Sequence, residues 1–151
     1  MMQEWRNREA QIAYRVEQLF AEFEGELVRE FPLAEGIRSD YLFRTDKAAY
    51  LIEVKGVSSG RFLSFATWGQ MVMYQKVAES WHDTEIPVVP VLLTNAELSA
   101  ALRFSFQKSR IPVVELDLDE SLYSFQRKLE KVLNDLDLPV PQIKVGSTLQ
   151  Q

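Results

Sequence analysis

The sequence predicts an α/β domain: a central mixed β-sheet flanked by helices, in the order αββ(β)αβαβα. Two neighbouring apolar runs, SDYLF and AAYLIEVKG, are joined by a polar RTDK and read as a β-hairpin. Two further strand-like runs, PVVPVLLTN and IPVVEL, alternate with stretches of helical periodicity, which places helices on the sheet faces. The chain has 151 residues, 46% of them hydrophobic and 26% charged, enough to bury one core without staples. One domain over 1–138 is therefore expected, with the proline-containing, mostly polar tail 139–151 loose or held by a partner.

Taken in order, residues 9–30 set Ile12, Val16, Leu19, Phe20, Phe23, Leu27 and Val28 at helical spacing, so a long amphipathic helix is expected to end before Pro32. A short extended piece around Phe31 to Ile37 follows. In the hairpin, Asp46 and Lys47 form a two-residue loop, so Thr45 pairs with Ala48 and Asp40 falls opposite Glu53. Alternation then puts Asp40, Leu42, Leu51, Glu53 and Lys55 on one face, and Tyr41, Phe43, Tyr50, Ile52 and Val54 on the other. A helix runs from about Phe62 to Trp81, with Ala66, Gln70, Met73, Tyr74, Val77 and Trp81 as the stripe expected against the sheet. After the PVVPVLLTN strand, AELSAALRFSFQ reads as a helix, IPVVEL as a strand, and DESLYSFQRKLEKVLNDL as a closing helix with Asp119 as N-cap.

Composition excludes several chemistries. With no cysteine, neither a disulfide scaffold nor thiolate-bound zinc can form, and the single His82 excludes a histidine-rich metal site. His82 with Asp83 has no GxSxG serine to serve, and GVSSGR lacks the GK[ST] of a phosphate loop. The longest apolar run, IPVVPVLL, is too short and proline-broken to span a bilayer, and MMQEWRNREAQ lacks the apolar stretch of a secretory signal; a cytoplasmic protein without membrane attachment is expected. The net charge of −5 speaks against a phosphate-binding surface over the whole chain. Locally the balance reverses: Arg38 to Ala78 holds Arg38, Arg44, Lys47, Lys55, Arg61 and Lys76 against Asp40, Asp46 and Glu53.

Two carboxylates directly opposed across an antiparallel pair have Cβ atoms roughly 4.5 to 5.5 Å apart, a repulsive arrangement that calls for a cation or a raised pKa. A divalent metal answers that need, and magnesium takes one or two carboxylates plus water and phosphate. Lys55 lies about 6.6 Å along the same face, within reach of a metal-bound water or a phosphate oxygen. Glu-x-Lys alone is a common surface pattern of little worth. Here the strand around it is apolar and Asp40 sits at the matching hairpin position. In the helix that follows, Gln70 and Tyr74 share a face at i, i+4. They either fill and satisfy the core or hold a DNA strand and steer a metal ligand.

Asp40, then Glu53-Val54-Lys55, then a helix with Gln70-x-x-x-Tyr74 resembles the PD-(D/E)XK nuclease superfamily, in particular its RecB-type QxxxY branch. YRVEQLF, RSDYLF, LIEVK and LLTN are also similar to the nuclease domain of type I restriction subunits. The resemblance covers about Gln11 to Asn95 and implies a restriction-endonuclease-like core and a magnesium- or manganese-dependent deoxyribonuclease. It implies that Asp40, Glu53 and the Val54 carbonyl hold the metal, that Lys55 stabilises the attacking hydroxide or transition state, and that Gln70 belongs to the catalytic set. Glu17 is the preferred first-helix glutamate for the metal, with Glu24 the alternative. Tyr74, Arg38 and Arg61 are the expected DNA contacts, with Arg38 facing Lys55 across the hairpin. Ser39 stands where the family name has proline. The acidic flanks leave a second reading: an inactive nuclease-fold domain that binds DNA or assembles as a homodimer or larger complex.

Overall fold

The structure, a computed structural model, describes residues 2–58, 62–81 and 85–149, and side chains from Asn7 onward. Helix α1 (Met2–Phe20) is followed by strands β1 (Glu26–Ala34), β2 (Ile37–Arg44) and β3 (Ala49–Lys55), then α2 (Phe65–Glu79), β4 (Val88–Thr94), α3 (Ala100–Ser109), β5 (Val113–Glu115) and α4 (Leu122–Asp135). The five strands form one mixed sheet in the order β1-β2-β3-β4-β5. The first three are antiparallel neighbours, and β3, β4 and β5 are parallel, joined through α2 and α3. This is the α/β architecture the sequence predicts, with the optional extra strand lying first.

That extra strand corrects the expected first helix. Helical spacing continues to Val28, yet the helix stops at Phe20. The chain turns at Gly25, φ +148°, where a side chain would meet the Phe43 ring at 2.5 Å and the Arg44 carbonyl at 2.6 Å. Leu27, Phe31 and Leu33 also fit a period of two, and Pro32, which has no N–H to give, is tolerated on the edge strand β1.

The hairpin register is the one counted from the sequence. Arg44 faces Ala49, Phe43 faces Tyr50, Leu42 faces Leu51 and Tyr41 faces Ile52. The Thr45 amide donates to the Ala48 carbonyl at 2.8 Å, and the Thr45 hydroxyl accepts from the Lys47 and Ala48 amides, which locks the loop. The alternation divides the core in two. Tyr41, Phe43, Tyr50, Ile52 and Val54 pack with Ile12, Val16 and Leu19 of α1 and Phe125, Leu129 and Leu133 of α4. Leu42 and Leu51 pack on the other face with Met71 and Tyr74 of α2 and Leu102 and Phe106 of α3.

Serine caps open three helices: Ser64, Ser99 and Ser121 each accept a backbone N–H from the first turn. Ser121, not Asp119, therefore caps α4. The buried stripe of α2 is Thr67, Met71, Tyr74 and Ala78, so the expected stripe is rotated and leaves Ala66 and Met73 exposed. Residues from Pro139 run back over the α1–β1 corner: Tyr50 donates to the Pro139 carbonyl, Phe23 pairs with Ile143, and Ile143 is buried. Among the described residues no helix is long and apolar enough to cross a membrane.

Candidate metal and phosphate site

The hairpin's paired residues end at Tyr41–Ile52. At the next position the Val54 amide donates to the Asp40 carboxylate, Oδ2, at 2.7 Å, so the side chain takes over a ladder bond and is fixed at the strand end. On its other side, β1 pairs Arg29 with Tyr41 and Phe31 with Ser39 in unbroken register, with Glu30 between them at φ 50°.

Glu53 is 4% exposed, in the middle of the sheet. Its Oε2 lies 2.8 Å from the Tyr74 hydroxyl, which also lies 2.8 Å from the Arg38 carbonyl and accepts from Gln70 Nε2 at 3.0 Å. Tyr74 has one proton for two acceptors, and the pair is fully satisfied when Glu53 carries a proton as well. The Glu53 carboxyl is pushed up to about 9: burial does most of it, a hydrogen bond and the charge of Asp40 add to the rise, and Tyr74 and Lys55 oppose it. Burial, with the Glu53 carboxylate and Asp40 adding to it, likewise raises the Tyr74 phenol. The Asp40 and Glu53 carboxyl groups thus converge at the strand end, and Glu53 is held toward its protonated form.

Lys55 is half-buried at the end of β3, its carbonyl held by the buried Thr94 hydroxyl at 2.7 Å. Just beyond, Asn95 clamps Val57 through both its amide and carbonyl. Gly56 lies so close to α1 that an added Cβ would stand 2.5 Å from the Glu9 amide nitrogen. This contact brings the Glu9 carboxyl within electrostatic reach of Lys55 and Asp40. Burial raises the Glu9 carboxyl, against a backbone hydrogen bond from Gly56 and the charge of Lys55, with Asp40 adding to the rise.

The α1 glutamate near Asp40 and Lys55 is therefore Glu9. Glu17, preferred from sequence, lies two turns along the same flank, about 12 Å away. It lines the same cavity of about 500 Å³ as Glu9, Arg29, Glu30, Asp40 and Val54, but is bound by Arg29 and by the Tyr41 hydroxyl at 2.8 Å. Glu24 is exposed at the α1–β1 corner, where its amide donates to Gln142. Sequence spacing could have found Glu9, since Glu9, Ala13 and Glu17 are i, i+4, i+8; which one meets the strand end is decided by Gly56.

Of the remaining expected residues, Gln70 and Tyr74 join the pair as its supports, not as exposed strand contacts. Arg38 pairs with Pro32 on its β1 side, the pairing of β2 with β3 stops at Tyr41–Ile52 short of Lys55, and the Arg38 side chain is exposed. Arg61 lies outside the described residues, as do His82 and Asp83. The oxygen-only donor set of Asp40, Glu53 and the Val54 carbonyl suits magnesium or manganese. Among the described residues there is no cluster of three or more acidic or histidine side chains set to cage an ion, so the fit is to a two-carboxylate site completed by water or substrate.

No known family profile matches the sequence, and no curated protein matches it. Among solved structures, the chain is similar to the small subunit of the heterodimeric restriction endonuclease R.BspD6I, with 16% identity, a TM-score of 0.46, and coverage of 83% of this chain and 74% of that one.

Proposed function

We propose that the chain is a metal-dependent deoxyribonuclease that hydrolyses phosphodiester bonds at Asp40, Glu53 and Lys55. The observation that carries the reading is the convergence of buried Glu53 with the half-buried Asp40 carboxylate, which the Val54 amide fixes at the strand end, with Lys55 close enough for its charge to act on Glu53. A bound magnesium or manganese ion would supply Lewis acidity and an activated water. Asp40 and Glu53 would hold the ion, with the Val54 carbonyl at the same strand end. Asp40 is oriented by the Val54 amide and Glu53 by Tyr74, which Gln70 holds in turn. Lys55 has no carboxylate locked onto it by an ion pair at short range among the described residues, and its charge faces the pair. In this reading it would neutralise a phosphate oxygen as negative charge develops.

The test is cleavage of linear and circular DNA with magnesium or manganese, beside Lys55→Ala and Asp40→Ala. Both substitutions abolish cleavage; equal activity in the variants disposes of the assignment. The second reading, a DNA-binding or assembly domain with a spent site, is favoured by Glu53 being already satisfied inside the protein by Tyr74. Calorimetric titration with manganese separates the two, since the spent site takes up no ion.

A further inference from the structure

The cavity of about 500 Å³ that reaches Asp40 extends well beyond it. Its wall follows α1 from Glu9 to Glu17, about 12 Å at the rise of a helix, and crosses to Arg29 and Glu30 on β1. Between the two glutamates α1 lines it with Ala10 and Ala13, whose short side chains leave it open. Arg29, at the Glu17 end, is the single cation on the wall among the described residues.

Fixed contacts set where Arg29 stands. It lies directly opposite Tyr41 in the β1–β2 pairing, so both side chains leave the sheet on the α1 face. Tyr41 is buried, and its hydroxyl donates to Glu17 Oε2 at 2.8 Å, while Glu17 Oε1 accepts from Arg29 Nη2. A carboxylate held at both oxygens, one of them by a core tyrosine, keeps a single orientation and holds the guanidinium with it. The Arg29 side chain is nevertheless 70% exposed, and its Nε and Nη1 have no hydrogen-bond partner among the described residues. As an exposed ion pair it adds little to stability. As a preset fork with donors to spare, on the wall of a cavity that reaches Asp40, it suits an oxyanion.

The other charges on the wall decide when an oxyanion can enter. Glu17 is matched by Arg29, burial holds Glu9 toward its protonated form, and Glu30 is exposed, where water and salt screen it. Asp40, with Lys55 near it, carries the charge at the inner end. Without a divalent ion the wall is therefore net negative and repels phosphate; an ion held at Asp40 and Glu53 cancels that charge and leaves Arg29 to attract. A stacked nucleic-acid strand repeats its phosphates every ~3.4 Å, and at wider steps when drawn out. A strand with one phosphate at the ion thus brings another to Arg29, which a single free phosphate cannot do.

We propose that Arg29, held by Glu17 and Tyr41, grips a phosphate of the substrate strand about two to four nucleotides from the scissile one, and that the grip forms only with the divalent ion in place. This deepens the nuclease reading and rests on it for the position of the scissile phosphate. The test is fluorescence anisotropy of the whole chain with a short labelled DNA, single-stranded and duplexed, in calcium and in EDTA, beside cleavage in magnesium. In calcium, Arg29→Gln weakens binding about tenfold and reduces the salt slope by about one, whereas Arg29→Lys stays within about threefold of the wild type. In EDTA all three proteins bind equally weakly, and in calorimetry Arg29→Gln takes up manganese like the wild type. In cleavage, Arg29→Gln raises KM about tenfold with kcat within about threefold. Equal affinities in calcium, the same loss in EDTA, a parallel fall in manganese affinity, or a loss that lysine does not repair would each overturn the grip. Binding through Arg29 without cleavage counts against the nuclease reading alone, cleavage with KM untouched by Arg29→Gln counts against the grip alone, and a wild type that binds no DNA overturns both.

Discussion

Replacing Glu53 by glutamine in the metal-free protein makes the fold more stable at neutral pH, by an amount that grows with pH. In the folded chain Glu53 keeps its proton up to about pH 9, whereas the free carboxyl releases it near 4.5. Between those values the unfolded chain binds fewer protons than the folded one, so wild-type stability falls as pH rises from about 4.5 and levels off near 9. Each pH unit in that window corresponds to about 1.4 kcal/mol. By pH 7 the wild type has lost about 3 kcal/mol that Glu53→Gln, which has no proton to keep, does not lose. Urea unfolding of both proteins in EDTA at pH 5, 6, 7 and 8 measures the gap. A gap that stays constant with pH, or closes as pH rises, refutes a proton held on the buried Glu53. Manganese at pH 8 should then raise the wild-type midpoint and leave the variant's unchanged, because an ion that binds only the folded state stabilises it.

Three further outcomes follow from the contacts. Gly56→Ala drives a methyl group onto the Glu9 amide nitrogen and the Arg8 carbonyl carbon, at 2.5 and 2.8 Å; destabilisation of about 1–3 kcal/mol by urea unfolding is expected, and an unchanged midpoint would show that α1 moves aside freely. Tyr74→Phe removes the hydroxyl shared by Glu53, Arg38 and Gln70, and unfolding at pH 7 should show a loss of about 1–3 kcal/mol. Glu9→Gln weakens manganese binding by about tenfold, whereas Glu17→Gln, whose partners are Arg29 and Tyr41, leaves it nearly unchanged; calorimetry giving the reverse order would return the metal role to Glu17.

Much of this arrangement was legible because strands report their geometry at a period of two. The loop at Thr45–Ala48 fixes the register, and from it both faces of the hairpin and the convergence of Asp40 with Glu53 follow by counting. Helices were less legible. The run from Ile12 to Val28 satisfies two periodicities, and the choice falls to Gly25, whose need to avoid Phe43 is invisible until the hairpin is in place. In α2 nearly every position from Phe62 to Tyr74 is apolar or uncharged, so no polar face marks which side is buried. The choice between Glu9 and Glu17 likewise depends on where α1 touches β3, a long-range contact made at Gly56. Ser121 replaces Asp119 as cap because either residue can cap, and only the path of the chain selects one.

The four residues that reverse the chain between β2 and β3 touch nothing reactive, yet they act as a ruler. One extra residue in that loop would shift the pairing by one and turn Ser39 or Tyr41, instead of Asp40, toward Glu53. Two extra would preserve the side but carry the carboxylate about 6.6 Å away along the strand. Length there decides which side chain meets Glu53, so a change in the loop can part the two carboxyl groups while the strands and helices still form.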